Sequence, residues 1–594
     1  MTAQSPSAQS PSAQSTSTDS GTAQTGAAPS TAQPGTAQPS TVEPTIVYPA
    51  RLVRTMDPAA PTAEAVAIRG DRFRAVGTVE ELMQYPHAQL DERYADAVLL
   101  PGFVEAHSHA GTGNVWKGAY VGYVDRVDPN GVHWPGCTSI EAVVERLTKA
   151  SDAIDDPQQP LIAWGLDPIY FQDEALTLDH LDRVSQTRPL CVNHASGHAY
   201  TVNSAALAHC GVDDSATTVG VARDGSGRLT GELHEFAAMA LVSSIAAGND
   251  LLSVDEDALR AFAQNAVNTG TTTVTDLGSR LLMTDEGADV YRSTVTPDFP
   301  VRVNVFHFAA GVGPVSDTLD ADAQRLVRLR AESTDRLTLG NVKLMLDGTL
   351  QGFTARVRAP GYYGDQPNGI WNVTPEEFHR AFEAFHTAGL LVHVHCNGDQ
   401  ASQMFLDTLE RILIDHPRPD HRHTCTHAQM ATPAQYRRMA ALGACANIFS
   451  NHIHQWGDQH LDLTMGPDRA RRNNAAATAV RAGVPISLHS DSPVTPLGPL
   501  SSAMHAVTRR TLSGRVMGEY ERIDAETALH AVTIGSAYML KRDAEIGSIE
   551  PGKYADLAVL EDDPLSVAPQ SIGAIRVHGT VVGGRHCASN VQER

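Results

Sequence analysis

Apolar segments and stretches of helical periodicity alternate through the middle of this chain. Eight of the apolar runs have the length and composition of strands that are buried on both faces. They are Val98–Phe103, Thr272–Asp276, Val301–Phe306, Asn341–Leu346, Leu390–His395, Arg422–His427, Ala444–Ile448 and Pro485–His489. Strands that alternate with helices in this way predict an α/β fold built on a (β/α)8 TIM-like barrel.

Helix-start signals stand between the predicted strands. Ser253-x-x-Glu256 and Thr374-Pro375-x-Glu377 have the form of capping boxes, and Thr432-Pro433-x-Gln435 resembles one with proline at the first helical position. Each of these helical runs ends in a glycine, the usual stop before the next element. The punctuation therefore supports the strand–helix alternation.

The chain outside the barrel pattern divides into further parts. Short strand-like segments in residues 45–96 and 545–594 predict one composite β-sandwich built from both ends of the chain, with the barrel over residues 97–544. The strand–helix rhythm breaks between about residues 110 and 250, which is too long for one loop and predicts an inserted subdomain. Residues 1–44 repeat a Thr/Ser-Ala-Gln unit and carry only the charges of Asp19 and Glu43, so we expect a disordered low-complexity tail.

Composition excludes several classes of function. The formal net charge of −23 argues against binding to nucleic acid or to an anionic membrane surface. The seven cysteines contain no Cys-x-x-Cys pair, which excludes a disulfide scaffold and favours a reducing, cytoplasmic location. No apolar run approaches the roughly 18 residues that a transmembrane helix needs. We expect a small-molecule substrate and, as for most soluble enzymes, a homodimer.

Polar side chains recur where the predicted barrel strands end, the edge at which barrel enzymes place their active sites. His107 and His109 follow the first strand, and residues two apart on an extended segment point the same way, so the pair can share one metal ion. The other strand-end residues are Lys343, His393, His395, His427 and Asp491. From this pattern alone, His393 and His395 are equally suitable as the metal ligand that the fifth strand contributes.

Five motifs carry a family resemblance. They are Pro-Gly-Phe-x-Glu-x-His-x-His at 101–109, Val-Lys-x-x-x-Asp-Gly at 342–348, His-x-x-Gly-Asp at 395–399, the histidine at 427, and Ser-Asp at 490–491. Together they resemble the amidohydrolase superfamily, in its amidohydrolase 3-type branch. The segment from Gln351 to Arg356 is similar to N-substituted formamide deformylases and their relatives. The likeness covers residues 45 to 594.

The resemblance implies roles for individual residues. His107, His109 and Asp491 would bind a first metal, His395 and His427 a second, and a carbamylated Lys343 would bridge them. Of the two fifth-strand histidines, only His395 stands in the family register. Asp491 would also act as the base, and His198 resembles a histidine of the insertion that lies near the substrate. We expect one or two divalent ions, with zinc the best fit and manganese, iron and cobalt still open.

The expected activity is metal-dependent hydrolysis of a linear amide. Deformylation of an N-substituted formamide to an amine and formate is the specific expectation, with Trp116, Phe353 and Trp371 as candidate apolar walls of the pocket. Alternatives within the enzyme class are hydrolysis of another N-acyl amine, a carbamate or a cyclic amide, and deamination of a ring. A catalytically silent binding protein on the same scaffold would be expected to lack ligands, and all of them are present here.

Overall fold

The computed structural model describes residues 43–171, 174–246, 253–311, 315–364 and 366–591. Residues 1–42, most of the predicted tail, lie outside the described residues. Within the described part of the chain, no helix is both long enough and apolar enough to cross a membrane.

Eight parallel strands follow one another in chain order around a single sheet. They are Phe103–Val104, Thr271–Ser279, Arg302–Ala310, Leu337–Met345, Val392–Cys396, Thr424–His427, Cys445–Ile448 and Ile486–Leu488. Ser108, just after the first strand, forms parallel bridges both to Asp276 on the second strand and to Ser492 beyond the eighth. The first and last strands therefore adjoin, and the predicted TIM-like α/β architecture is confirmed.

The first predicted strand, Val98–Phe103, is divided between two sheets. Val98–Pro101 pairs antiparallel with Leu557–Leu560, whereas Phe103–Val104 begins the barrel. Gly102 marks the change, because a Cβ atom at this position would lie 2.1 Å from Oγ1 of Thr272. The continuous strand expected from the apolar pattern is therefore wrong at this point, where close packing requires glycine.

The barrel region also contains helices, which stand between its strands or after them in the chain. They are Glu256–Asn268, Asp285–Thr294, Leu319–Ala331, Pro375–Thr387, Asp399–Asp415, Pro433–Leu442, Asn451–Gln459, Gly466–Ala470, Ala476–Arg481, Pro499–Thr508, Ala525–Ala531 and Ile534–Met539. Capping boxes are present at Thr374 and Thr432, as predicted. The box predicted at Ser253 is wrong: Asp255 caps that helix instead, and its side chain accepts a hydrogen bond from the amide of Ala258. An aspartate at the N-cap satisfies the same free amide groups.

Between the first two barrel strands the chain forms a separate six-stranded sheet. Its strands, in spatial order, are Val221–Arg223, Leu229–His234, Ala199–Val202, Leu190–His194, Leu161–Leu166 and Ala119–Tyr120. Helices of this region are Thr112–Val115, Ile140–Asp152, Leu178–Val184, Ser204–His209, Glu235–Met239 and Ser243–Ala246. Two hydrophobic clusters of its own pack around this sheet, so the region has its own core.

Strands from both ends of the described chain share one further sheet of eight strands. They are Thr45–Arg54, Thr62–Arg69, Arg72–Gly77, Ala88–Leu90, Val98–Pro101, Leu557–Leu560, Val577–Val582 and Arg585–Ala588, and a short helix, Val79–Leu82, lies beside them. A buried ion pair joins this sheet to the barrel, since Nε of Arg302 donates to Oδ2 of Asp556 at 2.7 Å. Arrangement of the sheet as a two-layer sandwich stays a prediction.

Candidate metal centre and cavity

His107, His109 and Asp491 meet at the carboxyl end of the barrel strands. Nε2 of His107 and Nε2 of His109 each lie 3.1 Å from Oδ1 of Asp491. Backbone bonds between the segments after the first and eighth strands hold this contact, because the amide of Asp491 donates to the carbonyl of His107 at 3.0 Å. The three side chains are thus held together by main-chain pairing as well as by their own contacts.

His395 and His427 form a second pair beside the first. Nε2 of His427 lies 3.1 Å from Nδ1 of His395, and Nδ1 of His427 lies 3.8 Å from Oδ2 of Asp491. Burial lowers the pKa of both imidazoles well below the usual range, so both are neutral near pH 7. A neutral imidazole is the form that binds a metal ion.

Lys343 projects into the same cavity from the fourth strand. Its ammonium is buried, and Nζ has no hydrogen-bond partner among the described residues. Burial lowers the pKa of Lys343 to about 8. A buried lysine with this pKa has a substantial neutral fraction near pH 7 to 8, the form that reacts with carbon dioxide to give a carbamate.

The donor set fits a divalent ion. Nitrogen and oxygen donors are gathered in one buried place. Among the described residues, four of the nitrogens have no hydrogen-bond partner: Nδ1 of His107, His109 and His427, and Nζ of Lys343. A buried polar group without a partner costs free energy unless something else binds it. Imidazole and carboxylate donors are the ligands that zinc and other first-row divalent ions take.

Sequence reasoning missed His489 at this centre. Ligand atoms of His107, His427, His489 and Asp491 all lie within 4.8 Å of one another. The ring of His489 stacks on that of His107 with centroids 4.7 Å apart. The signal was available, because His489 stands two residues before Asp491, at the end of a strand.

Two buried acidic side chains, Glu105 and Asp347, hold the segments that carry the metal-binding residues. Glu105 accepts hydrogen bonds from the amide of His107 at 3.1 Å and from the hydroxyl of Ser490 at 2.8 Å, so it links the first strand to the eighth. Asp347 accepts backbone amides of Arg356, Asn397 and Gly398, which fixes the ends of the fourth and fifth strands. Burial raises the pKa of Glu105 to about 8 and that of Asp347 to about 7.

Left-handed backbone occurs at several of these positions. His427 has a φ of 68°, Asp491 of 54° and Glu235 of 62°, a region that residues other than glycine seldom adopt. Such strain persists where the surrounding structure imposes it, and it concentrates at functional sites. These three positions therefore share a property that sequence patterns do not reveal.

A cavity of about 450 Å³ opens onto the centre. His107, His109, Lys343, His395, His427 and Asp491 line one side, and the inserted region supplies much of the other. Its apolar walls are Tyr200, Phe236, Met239, Leu277, Phe308 and Met345. Part of the cavity wall is therefore polar and metal-binding in character, and the remainder suits an apolar group.

His198 enters the cavity from the inserted region together with a partner. Nδ1 of His198 lies 2.9 Å from Oε2 of Glu235, and the amide of Glu235 donates to the carbonyl of His198 at 2.7 Å. Burial alone lowers the pKa of His198, but the charge and hydrogen bond of Glu235 outweigh this, so the pKa is raised. His198 is among the residues that line the cavity.

The three predicted aromatic walls lie elsewhere. Trp116 packs edge-on against Trp164 at 4.9 Å, Phe353 against Tyr362 at 5.2 Å, and the guanidinium of Arg356 covers Trp371. None of the three is among the residues that line the cavity at the metal centre. A substrate-binding role for these three residues stays a prediction, and Phe353 lines a neighbouring cavity together with His198.

The structure also distinguishes the two candidate histidines of the fifth strand, His393 and His395. His393 is fully buried beneath the cavity, with its ring 4.6 Å from that of Phe306, and it does not line the cavity. His395 does line it. Alternate residues of a strand point the same way, so His393 and His395 both point into the barrel. His395 is nearer the mouth, and it alone of the two reaches the other ligands.

Comparison with known proteins adds an independent line of evidence. A sequence model of the Amidohydrolase family matches residues 95–588. The chain is 28% identical over 550 residues to Protein LONG AFTER FAR-RED 3 of Arabidopsis thaliana, with 89% of each chain covered. It is 26% identical to N-substituted formamide deformylase of Arthrobacter pascens, with 90% of this chain and 96% of the relative covered.

Solved structures show the same fold. An uncharacterized metal-dependent hydrolase from Pyrococcus horikoshii superposes with a TM-score of 0.65 at 19% identity, over 88% of this chain and 99% of that one.

Proposed function

Because the chain belongs to the amidohydrolase family and is a metal-dependent hydrolase of carbon–nitrogen bonds, we propose that it deformylates N-substituted formamides. The products would be an amine and formate. The observation that carries this proposal is the convergence of metal-binding side chains and apolar walls on one cavity. A formyl group is small enough to sit among the ligands, which leaves the apolar walls for the substituent on nitrogen.

The metal-binding side chains divide by position. His107, His109 and Asp491 would hold one ion, and His395 with His427 a second, with a carbamate on Lys343 between them. We favour zinc, since nitrogen and oxygen donors without thiolates suit it. When bound, a divalent ion polarises the substrate carbonyl and lowers the pKa of a water molecule toward about 7.

Asp491 is positioned to handle the proton of the attacking water. Burial alone raises its pKa, but the hydrogen bond and charge of His109 outweigh burial, so the pKa is lowered and the group is a carboxylate at neutral pH. It can therefore accept a proton as the water attacks the formyl carbon, and then return it to the departing nitrogen.

His198 would contact the other end of the reacting group. Held by Glu235 through Nδ1, the ring can present an N–H at Nε2 to the carbonyl oxygen or the leaving nitrogen. A donor aimed at developing negative charge lowers the barrier to attack. Phe236 and Phe308 would meanwhile take the substituent and keep bulk water away.

A panel of substrates tests the proposal. N-benzylformamide and N-alkylformamides would be compared with matched acetamides, carbamates and hydantoins, with amine release as the readout. We expect kcat/KM for the formamides to exceed that for the acetamides by at least about tenfold, since an added methyl group must fit among the ligands. Equal or faster turnover of any other class would reject deformylation as the specific activity.

Glu235 offers a prediction about the histidine from the inserted region. Glu235→Gln keeps the size of the side chain but removes the charge that favours protonated His198, so we expect kcat to fall about tenfold with little change in KM. Glu232→Gln is the matched control, because Glu232 pairs with His234 on the same strand and does not line this cavity. Equal losses in both variants would contradict the role given to His198.

A further inference from the structure

His489 is a buried histidine whose ring nitrogens have no hydrogen-bond partner in the described structure. Its relative exposure is 0%, and neither Nδ1 nor Nε2 makes a hydrogen bond to any described residue. An imidazole in water has partners at both nitrogens, so burial without replacement leaves a cost that a structural histidine ordinarily avoids.

Three buried histidines away from the cavity have hydrogen-bond partners at their ring nitrogens. Nδ1 of His386 lies 2.9 Å from Nε2 of His423, and Nε2 of His386 donates to the carbonyl of His416 at 2.8 Å. Nε2 of His421 donates to the carbonyl of Leu442 at 2.8 Å. These side chains form a hydrogen-bonded network away from the cavity, whereas the side chain of His489 makes only ring contacts within the described part of the chain.

The neighbours of His489 indicate what its ring nitrogens could bind. Its ring centroid lies 4.7 Å from that of His107 and 5.1 Å from that of His427. With Asp491, these side chains bring their ligand atoms within 4.8 Å of one another. His109 and His395 are not part of this group of four.

We propose that His489 is itself a metal ligand, in a site with His107, His427 and Asp491. In this arrangement His427 joins His107 and Asp491, which changes the division given above, where His427 was paired with His395. Such a site has imidazole nitrogens and a carboxylate oxygen as donors, a set that binds zinc, cobalt and other divalent first-row ions. The ligand set taken from the family resemblance contains no second residue from the eighth strand. His489 extends it, and this inference rests on the metal requirement of the proposed function.

Metal affinity, measured without any substrate, tests the inference. The full chain would be stripped with a chelator and titrated with Co²⁺, following visible absorption, and with Zn²⁺ against a chromophoric competitor. His489→Phe keeps the ring and removes both nitrogens. We expect its Kd to rise at least about tenfold and its cobalt spectrum to change, because loss of a ligand weakens binding at least as much as loss of an outer partner.

His393→Phe is the matched control. His393 is also fully buried in the barrel interior, but it lies outside the group of four. Its Kd should stay within about twofold of the unaltered chain. His489→Asn is the second variant, in case phenylalanine disturbs folding, and circular dichroism would verify the fold of each variant.

The outcomes separate the inference from the proposed function. If the unaltered chain binds metal and both His489 variants bind it equally tightly with the same spectrum, His489 is not a ligand while the proposed function stands. If His393→Phe weakens binding as much as His489→Phe, the effect is repacking of the barrel interior and the inference fails. An unaltered chain that binds no metal refutes both.

Discussion

Asp491→Asn is expected to lower kcat by about 10³-fold, within the range by which a positioned acid or base accelerates a reaction. Asparagine has nearly the same shape but cannot accept the proton of the attacking water at neutral pH. The amide oxygen can still contact an ion, so metal should remain largely bound. Measuring kcat together with metal content by elemental analysis checks both parts of the expectation.

A control variant separates loss of the base from general damage. Asp563→Asn removes the carboxylate that pairs with Arg54 in the sheet formed by both chain ends, far in sequence from the ligands. Its kcat should remain within about twofold, since changes away from the site seldom alter turnover. If Asp491→Asn retains more than about a tenth of the activity, a different group accepts the proton.

Much of the fold was accessible from the chain itself because a parallel barrel has a strong periodic signature. Strands buried on both faces read as short apolar runs, and helices between them begin at capping residues such as Thr374 and Thr432. The division at Gly102 was not accessible. It depends on the close approach of Thr272, which lies far along the chain.

The residues of the candidate site also differ in how far the sequence alone predicts them. The sequence could predict that six side chains lie together because each stands near or just after the carboxyl end of a strand, and strand ends converge by topology. They are His107, His109, Lys343, His395, His427 and Asp491. They all line one cavity.

Side chains contributed by loops and by the inserted region were harder to find. The aromatic residues chosen as walls, Trp116, Phe353 and Trp371, lie elsewhere, since nothing in their local sequence says which surface they face. No sequence motif marks Glu235 either. Its place beside His198 is set by pairing of the strands Ala199–Val202 and Leu229–His234. Tertiary contacts of this kind cannot be read from spacing.

Lys343→Ala should lower activity by at least about 10²-fold, and acetate should restore part of it. The reason is the role proposed for a carbamate, which supplies oxygen ligands between two ions. Alanine leaves space where the buried side chain lay, and a small carboxylate can enter that space to provide oxygen donors. The measurement is kcat/KM and bound metal as a function of acetate concentration.

Lys553→Ala is the control for this rescue. Lys553 is also a buried lysine, but its Nζ donates to the hydroxyl of Ser548 at 2.6 Å and lies 2.9 Å from the carboxylate of Glu550, so its charge is already compensated. Any loss in that variant should not respond to acetate. If Lys343→Ala keeps its full metal content and acetate has no effect, Lys343 does not bridge metal ions. Its unpartnered ammonium would then act in the cavity as a cation, for example toward the carbonyl oxygen of the substrate.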